Sequence, residues 1–285
     1  MPWLWFRNHR MEIRGEKMVG QKQLLDDIYN LIDRDKYPRF TIFIGQIGSG
    51  RKTLAKEIAK KLDLQVVQLP DVKVDTVRSM IADAYKIPYK YLYIIPNAEN
   101  MSLAAKNAIL KVTEEPPNNA YFIMTVQDES QLLDTIKSRG MIFHMNPYSP
   151  TEIGEYADCK DTRELEIITS ICEVPGDVDI LRKMDVDEFY SYVNNVVDNI
   201  AVTSGSNSFK IANKINMKDD ADKYDLRLFW RIFMLICLDR IKEEPLKYAE
   251  GVKLTSQYLK DIRITGINKS ALFDMWILAI REAWM

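Results

Sequence analysis

Only two histidines, His9 and His144, and three cysteines, Cys159, Cys172 and Cys237, occur in 285 residues. The cysteines are scattered, odd in number and form no C-x-x-C pair, which argues against zinc and against a disulfide framework. With so few histidines no metal site is expected. No charge of one sign dominates, since 39 basic side chains face 41 acidic ones. No global field therefore draws the chain to nucleic acid or to an anionic membrane, and any DNA contact must come from a local patch. Long apolar runs are missing too: the longest are strand-sized or broken by charge, so no membrane span is expected. The opening MPWLWFRNHRMEIRGEKM has too short an apolar part and no small-residue cleavage site. It predicts a cytoplasmic protein, with Met1, Met11 or Met18 as alternative starts.

What is present is an apolar fraction of 47%, normal for a chain with real cores, in a length that suggests about two domains of roughly 100–200 residues. Five short runs rich in β-branched and aromatic residues lie at 40–44, 64–69, 91–95, 121–126 and 141–145. Most are nearly continuous in apolar character, the pattern of strands covered on both faces. Helical spacing fills the gaps, at 53–62, at 74–85 (Val74, Val77, Ile81, Ala84) and at 102–115 (Ala104, Ala105, Ala108, Ile109, Val112, with Ser102 as N-cap). Alternation of strand and helix predicts a parallel sheet. After residue 150 the strand signal vanishes. Short helices interrupted at Pro175-Gly176 precede a bundle, in which 226–241 is apolar nearly all round and so predicted buried. A run at 204–208 breaks the pattern, and 269–284 places Leu272, Met275, Trp276 and Ala279 on one face.

The run Gly45-Gln46-Ile47-Gly48-Ser49-Gly50-Arg51-Lys52-Thr53 is a near-match to the phosphate-binding loop G-x-x-x-x-G-K-[ST]. In that loop glycines let backbone N–H groups cradle phosphates, Lys reaches the β/γ-phosphates and the hydroxyl holds Mg²⁺. Gly45 and Gly50 are in register, but Arg51 takes the lysine position, Lys52 the hydroxyl position, and Thr53 comes one residue late. One residue on a helix turns a side chain by about 100°. Gly45, Gly48, Ser49, Gly50, Arg51, Lys52 and Thr53 therefore form a degenerate nucleotide site. No cofactor is required there, and ATP or ADP is compatible with it. The acidic pair expected after the next core strand, for Mg²⁺ and the attacking water, is replaced by Pro96-Asn97. Glu99 reads as a surface carboxylate.

The segment Asn107-Ala108-Ile109-Leu110-Lys111-Val112-Thr113-Glu114-Glu115-Pro116-Pro117, followed by Tyr121-Phe122-Ile123-Met124-Thr125, resembles the "NALLKxLEEPP…FIL" signature of sliding-clamp loader subunits in the AAA+ superfamily. Thr135-Ile136-Lys137-Ser138-Arg139-Gly140 is similar to that family's "TIxSRC" motif, with Gly140 in place of Cys. Met18-Val19-Gly20-Gln21 resembles its "IxGQ" opening, and residues 72–81 its "DxIR" helix. The four matches keep order and spacing from about residue 18 to 150. The resemblance implies an α/β plus all-α fold: an AAA+ P-loop core with a five-stranded parallel sheet (1–148), a small helical lid (149–186) and a helical collar bundle for oligomerisation (187–285).

Within that family the degraded loop, the lost acids and Asp179 near the usual lid arginine resemble the delta-prime (stator) type, which is not itself an ATPase. There Ser138 and Arg139 would complete a neighbour's ATP site, Arg139 as an arginine finger in trans whose planar fork matches phosphate oxygens. The partners implied are gamma/tau-like and delta-like subunits, the sliding clamp and primer–template DNA, in a bacterial or phage replication complex. The four-cysteine zinc module of many relatives is absent. The rivals are an active gamma-like motor using Lys52-Thr53, and an AAA+ protein that binds nucleotide structurally. The 74–85 helix reads as sheet packing before clamp contact, and Lys106, Lys111 and Lys137 as solvated lysines before phosphate ligands.

Overall fold

The computed structural model describes residues 10–11, 18–86, 88–202, 211, 213–216, 223–264 and 266–285. Contacts divide the chain into two compact units, 1–148 with 174–176, and 149–173 with 177–285. The first unit runs β1 (Arg10–Met11), α1 (Lys22–Asp33), β2 (Phe40–Ile44), α2 (Arg51–Lys61), β3 (Gln65–Gln68), α3 (Val74–Lys86), β4 (Tyr91–Ile95), α4 (Leu103–Glu114), β5 (Ala120–Val126), α5 (Asp134–Lys137) and β6 (Met141–His144). Strand order is β1-β3-β4-β5-β2-β6. The five expected strands are parallel, with Phe43 opposite Thr125 and Val67 opposite Tyr93. β1 adds a two-residue antiparallel edge to β3, too short for any periodic signal.

Every residue of β2 and β4 is buried, and successive side chains serve opposite faces. Ile42, Tyr93 and Phe122 pack with Val77, Met80 and Ala84 of α3 and Ala105, Ile109 and Val112 of α4. Phe43, Leu92 and Ile123 pack with Leu24 and Ile28 of α1 and Leu54, Ala55 and Ile58 of α2. Each large side chain so buried contributes about 1.5–3 kcal/mol. α3 thus spends its apolar face on the sheet. Ser102 caps α4 as expected, accepting from the Ala105 N–H at 3.2 Å. The buried face of α4 is nevertheless Ala105, Ile109, Val112 and Thr113, with Ala104 exposed.

The second unit contains α6 (Pro150–Ala157), α7 (Thr162–Ile171), α8 (Pro175–Leu181, its first two residues counted with the first unit), α9 (Val186–Asn199), a short parallel pair β7 (Ile215–Asn216) and β8 (Tyr224–Asp225), then α10 (Leu226–Asp239), α11 (Pro245–Asp261) and α12 (Lys269–Trp284). Ser149 and Glu152 form a capping box with Pro150 in the first turn, so the proline opens a helix at this boundary. Pro175 does the same for α8. The 204–208 break falls outside the described residues.

α10 is the buried centre of its unit, as its composition predicts. Phe229, Trp230 and Phe233 meet Trp276, with Phe233 edge-on at 4.9 Å. The Trp276 indole donates to Thr255 Oγ1 at 3.0 Å. Trp284 stacks on Phe233 and donates to the Lys247 carbonyl at 2.9 Å. The buried face of α12 is Leu272, Phe273, Trp276, Ile277 and Ile280. Met275 is 58% exposed, which corrects the expected face by one residue. Among the described residues no helix is long and apolar enough to cross a membrane.

A charged pair is buried beside this apolar centre. Arg231, on α10, pairs through Nη1 with Asp177 Oδ2 and through Nη2 with Glu173 Oε2, both at 2.6 Å, and Nη1 donates to the Ile171 carbonyl at 3.1 Å. Asp177 is 1% exposed and also accepts from the Glu173 N–H at 3.1 Å. Without Asp177 the buried Arg231 would keep only the half-exposed Glu173 and the Ile171 carbonyl; breaking a buried pair is costly, whereas replacing both partners by apolar groups is near neutral. Asp177→Ala should therefore lower unfolding free energy in urea by about 3–5 kcal/mol. Asp177→Leu combined with Arg231→Met should recover most of that loss in the same measurement.

Candidate functional site

The glycine loop follows the buried strand β2 and opens α2. Gly48 and Gly50 have φ of +88° and +83°, a left-handed conformation that glycine adopts without steric cost. Gly50 is the N-cap of α2 and supplies no side-chain acceptor, so the first N–H groups of the helix are left for a ligand or water. The opening motif lies beside it. Gln21 is buried and bonds Asn146 in both directions at 2.7 Å, Nε2 to the carbonyl and the Asn146 N–H to Oε1. That reciprocal amide pair fastens the Met18–Gln21 segment to the end of β6. Met18 lies where a Gly50 side chain would stand, and the Tyr148 hydroxyl donates to the Ser49 carbonyl at 3.0 Å.

Arg51 occupies the lysine position and is 6% exposed. Burial holds its guanidinium below the ordinary range, partly offset by the charge of Glu99. Glu99 is itself 8% exposed, which corrects its reading as a surface carboxylate. Asn97 is left-handed (φ 49°) and starts the 3-10 turn Ala98–Asn100. That turn folds Glu99 back, where Oε1 accepts from Gln127 Nε2 at 2.8 Å. Arg51 Nη1, Ser49 Oγ and Glu99 Oε2 are buried with no hydrogen-bond partner among the described residues. Groups of that kind cost about 1–3 kcal/mol each when left unsatisfied. The Lys52 ammonium is held below the ordinary lysine range, first by desolvation and then by the charges of Arg51 and Lys56.

Arg139 sits apart from this loop, after the short helix α5. Its Nε donates to Glu114 Oε1 at 2.9 Å, and Nη2 pairs with the same oxygen. Nη1 donates to the Thr135 carbonyl and lies 3.5 Å from Ser138 Oγ. Ser138 is exposed and donates to the Thr135 carbonyl at 3.3 Å. Glu114, the last residue of α4, was within the recognised EEPP run, yet only three-dimensional proximity reveals it as the partner of Arg139. Gly140 has a steric reason: a Cβ there would stand 2.9 Å from Ile42 Cδ1 and Phe40 Cε1. Of the three lysines considered for phosphate, Lys106 donates to the Gln131 carbonyl at 2.9 Å and Lys137 pairs with Asp134 at 2.6 Å. Lys111 is exposed. Asp179 belongs to a local group in the second unit, accepting from Tyr156 at 2.9 Å and Arg182 at 3.1 Å.

A family model described as DNA polymerase III, delta subunit, matches residues 62–149, a stretch that holds Glu99, Glu114 and Arg139 but not the glycine loop. DNA polymerase III subunit gamma of Buchnera aphidicola subsp. Schizaphis graminum is 27% identical over 48% of this chain and 46% of its own length. DNA polymerase III subunit delta′ of Bacillus subtilis is 27% identical over 47% and 50%. Replication factor C small subunit of Halobacterium salinarum is 25% identical over 57% and 52%. The chain thus spans about half the length of these relatives. A gamma subunit-related protein from Thermotoga maritima superposes with a TM-score of 0.51 at 15% identity, over 92% of this chain and 99% of that one; this likeness concerns the fold. The parallel sheet, glycine loop and helical second unit fit the AAA+ fold. In its motifs and relatives the chain is similar to the clamp-loader type, with the family model matching residues 62–149.

The packing at Gly140 is open to a direct check. Gly140→Cys should lower the unfolding free energy by about 1–3 kcal/mol, the usual cost of overpacking. Adding Ile42→Val, which removes the crowding methyl, should restore part of it in parallel thermal melts.

Proposed function

We propose that this chain is a non-catalytic, delta-prime-like subunit of a replicative clamp loader, and that Arg139 acts in trans on a neighbour's ATP. The observation that carries the reading is Arg51, buried in the position of the catalytic lysine. A guanidinium is a wide planar fork and cannot stand in for a compact ammonium at a β/γ-phosphate. Pro96 and Asn97, where two acids are needed, offer neither a magnesium ligand nor a base. The loop keeps a binding capacity. The unpartnered Arg51 Nη1 and Ser49 Oγ suit the phosphate oxygens of ATP or ADP, with Gly45, Gly48, Gly50, Lys52 and Thr53 around them. Such a nucleotide would supply charge to fill the loop.

In this reading the partners are gamma/tau-like and delta-like subunits, and through them the sliding clamp and primer–template DNA, in the cytoplasm. The gamma-type alternative draws on the identity to Buchnera gamma subunits and makes Lys52 and Thr53 the working pair. ATPase measurements separate the two. The isolated chain should hydrolyse ATP at background rate, and robust Mg²⁺-dependent turnover that tracks the monomer would establish the gamma-type reading. In a loader reconstituted with its partners, Arg139→Ala should leave assembly intact and slow hydrolysis. A finger is worth about 10³–10⁵ at a site that depends on it, diluted in the total by sites with their own arginines. Arg139→Lys should rescue poorly, because a point charge lacks the bidentate fork.

A further inference from the structure

We propose that Glu114 is the positioning residue for Arg139, fixing the guanidinium so that one edge is committed to this chain and the other is presented outward. The inference rests on the trans-acting role of Arg139 proposed above.

Three observations carry it. Glu114 is the last residue of α4, followed by the non-helical C-cap Glu115 and by Pro116-Pro117. A carboxylate at that end of a helix has the wrong sign for the negative pole formed by the last carbonyls. Its location is therefore unfavourable unless a cation answers it, and Arg139 does. Second, the contact engages one side of the fork: Nε and Nη2 both meet Glu114 Oε1, while Nη1 is held by the Thr135 carbonyl. A guanidinium has five N–H donors. These three contacts use three, and the 3.5 Å approach of Nη1 to Ser138 Oγ is at the limit for a hydrogen bond, so the far edge keeps donors for a phosphate. Third, the pair is half exposed, with the Arg139 and Glu114 side chains 27% and 51% exposed. Pairs in such settings add little to stability. What anchoring does is remove the rotamer freedom of a long side chain before a partner arrives, which preorganises a contact.

Stability and rate should therefore respond differently, and the full-length chain in its assembled loader reveals the split. Glu114→Gln keeps size and removes charge, and should leave the melting temperature and assembly near wild type. It should abolish about nine-tenths of the clamp-stimulated ATPase that Arg139→Ala removes, the tenfold cost of a modest misplacement. The loss should fall on kcat, with KM for ATP unchanged. The double variant should match Arg139→Ala alone, because both act through one group. In the isolated chain, the Arg139 Nε–H followed by nitrogen-15 NMR should exchange slowly, and faster in Glu114→Gln. If Arg139→Ala slows the loader while Glu114→Gln runs at the wild-type rate, or if the two losses multiply, the positioning role is overturned and the trans role stands. If Arg139→Ala leaves the rate unchanged, the trans role falls and the positioning role with it.

Discussion

Both faces of the parallel sheet are sealed by helices, and the rest of the first unit follows from that constraint. With Ile42, Tyr93 and Phe122 committed to one face and Phe43, Leu92 and Ile123 to the other, strand interiors have no room for polar chemistry. Groups that bind or react are displaced to the carboxyl ends of the strands, the rule for open α/β sheets. The loop after β2, the turn after β4 and Gln127 after β5 meet there. Arg139 is excluded from that cluster for the same reason: it precedes β6, at the opposite end of a strand from the glycine loop. A side chain so placed does not serve the loop of its own domain, which fits a residue whose work lies on another molecule.

Much of this was legible because burial on two faces leaves a plain mark. Residues 40–44 and 91–95 are apolar but for Thr41 and the tyrosine hydroxyls, and they are strands to the residue. Ser102 before an amphipathic run announces its own cap. Failures came where the pattern is ambiguous. α12 has apolar residues on nearly every side, including Met275, Leu278 and Ala279, so periodicity alone cannot say which stripe is inward. In α11 the buried positions are Tyr248, Gly251 and Thr255, a set without hydrophobic contrast. The N-cap of α1 is Gln21, left-handed and with no side-chain cap, so the usual starting residue is missing.

The site shows the same division. The altered loop is readable letter by letter, because register alone shows that Arg51 replaces the lysine. The burial of Glu99 is not readable, since it depends on the positive φ of Asn97, and asparagine takes that conformation only in some contexts. The Glu114–Arg139 pair spans 25 residues, and both ends lie inside recognised motifs. Motifs record which residues recur and not which of them touch.

The buried Arg51 has a consequence for how such a loop changes over generations. Its guanidinium and Glu99 offset one another's charge in a place with little water. Exchanging Arg51 for lysine alone would set a more strongly hydrated ion in the same enclosed spot, while Pro96 and Asn97 would still provide no acid. If the loop is non-catalytic, as proposed, each single step toward a hydrolytic loop incurs a loss before any turnover exists to be selected. On that reading the loop acts as a ratchet, and descendants of this chain should diverge further around Arg51 and Glu99 more readily than they gain an ATPase.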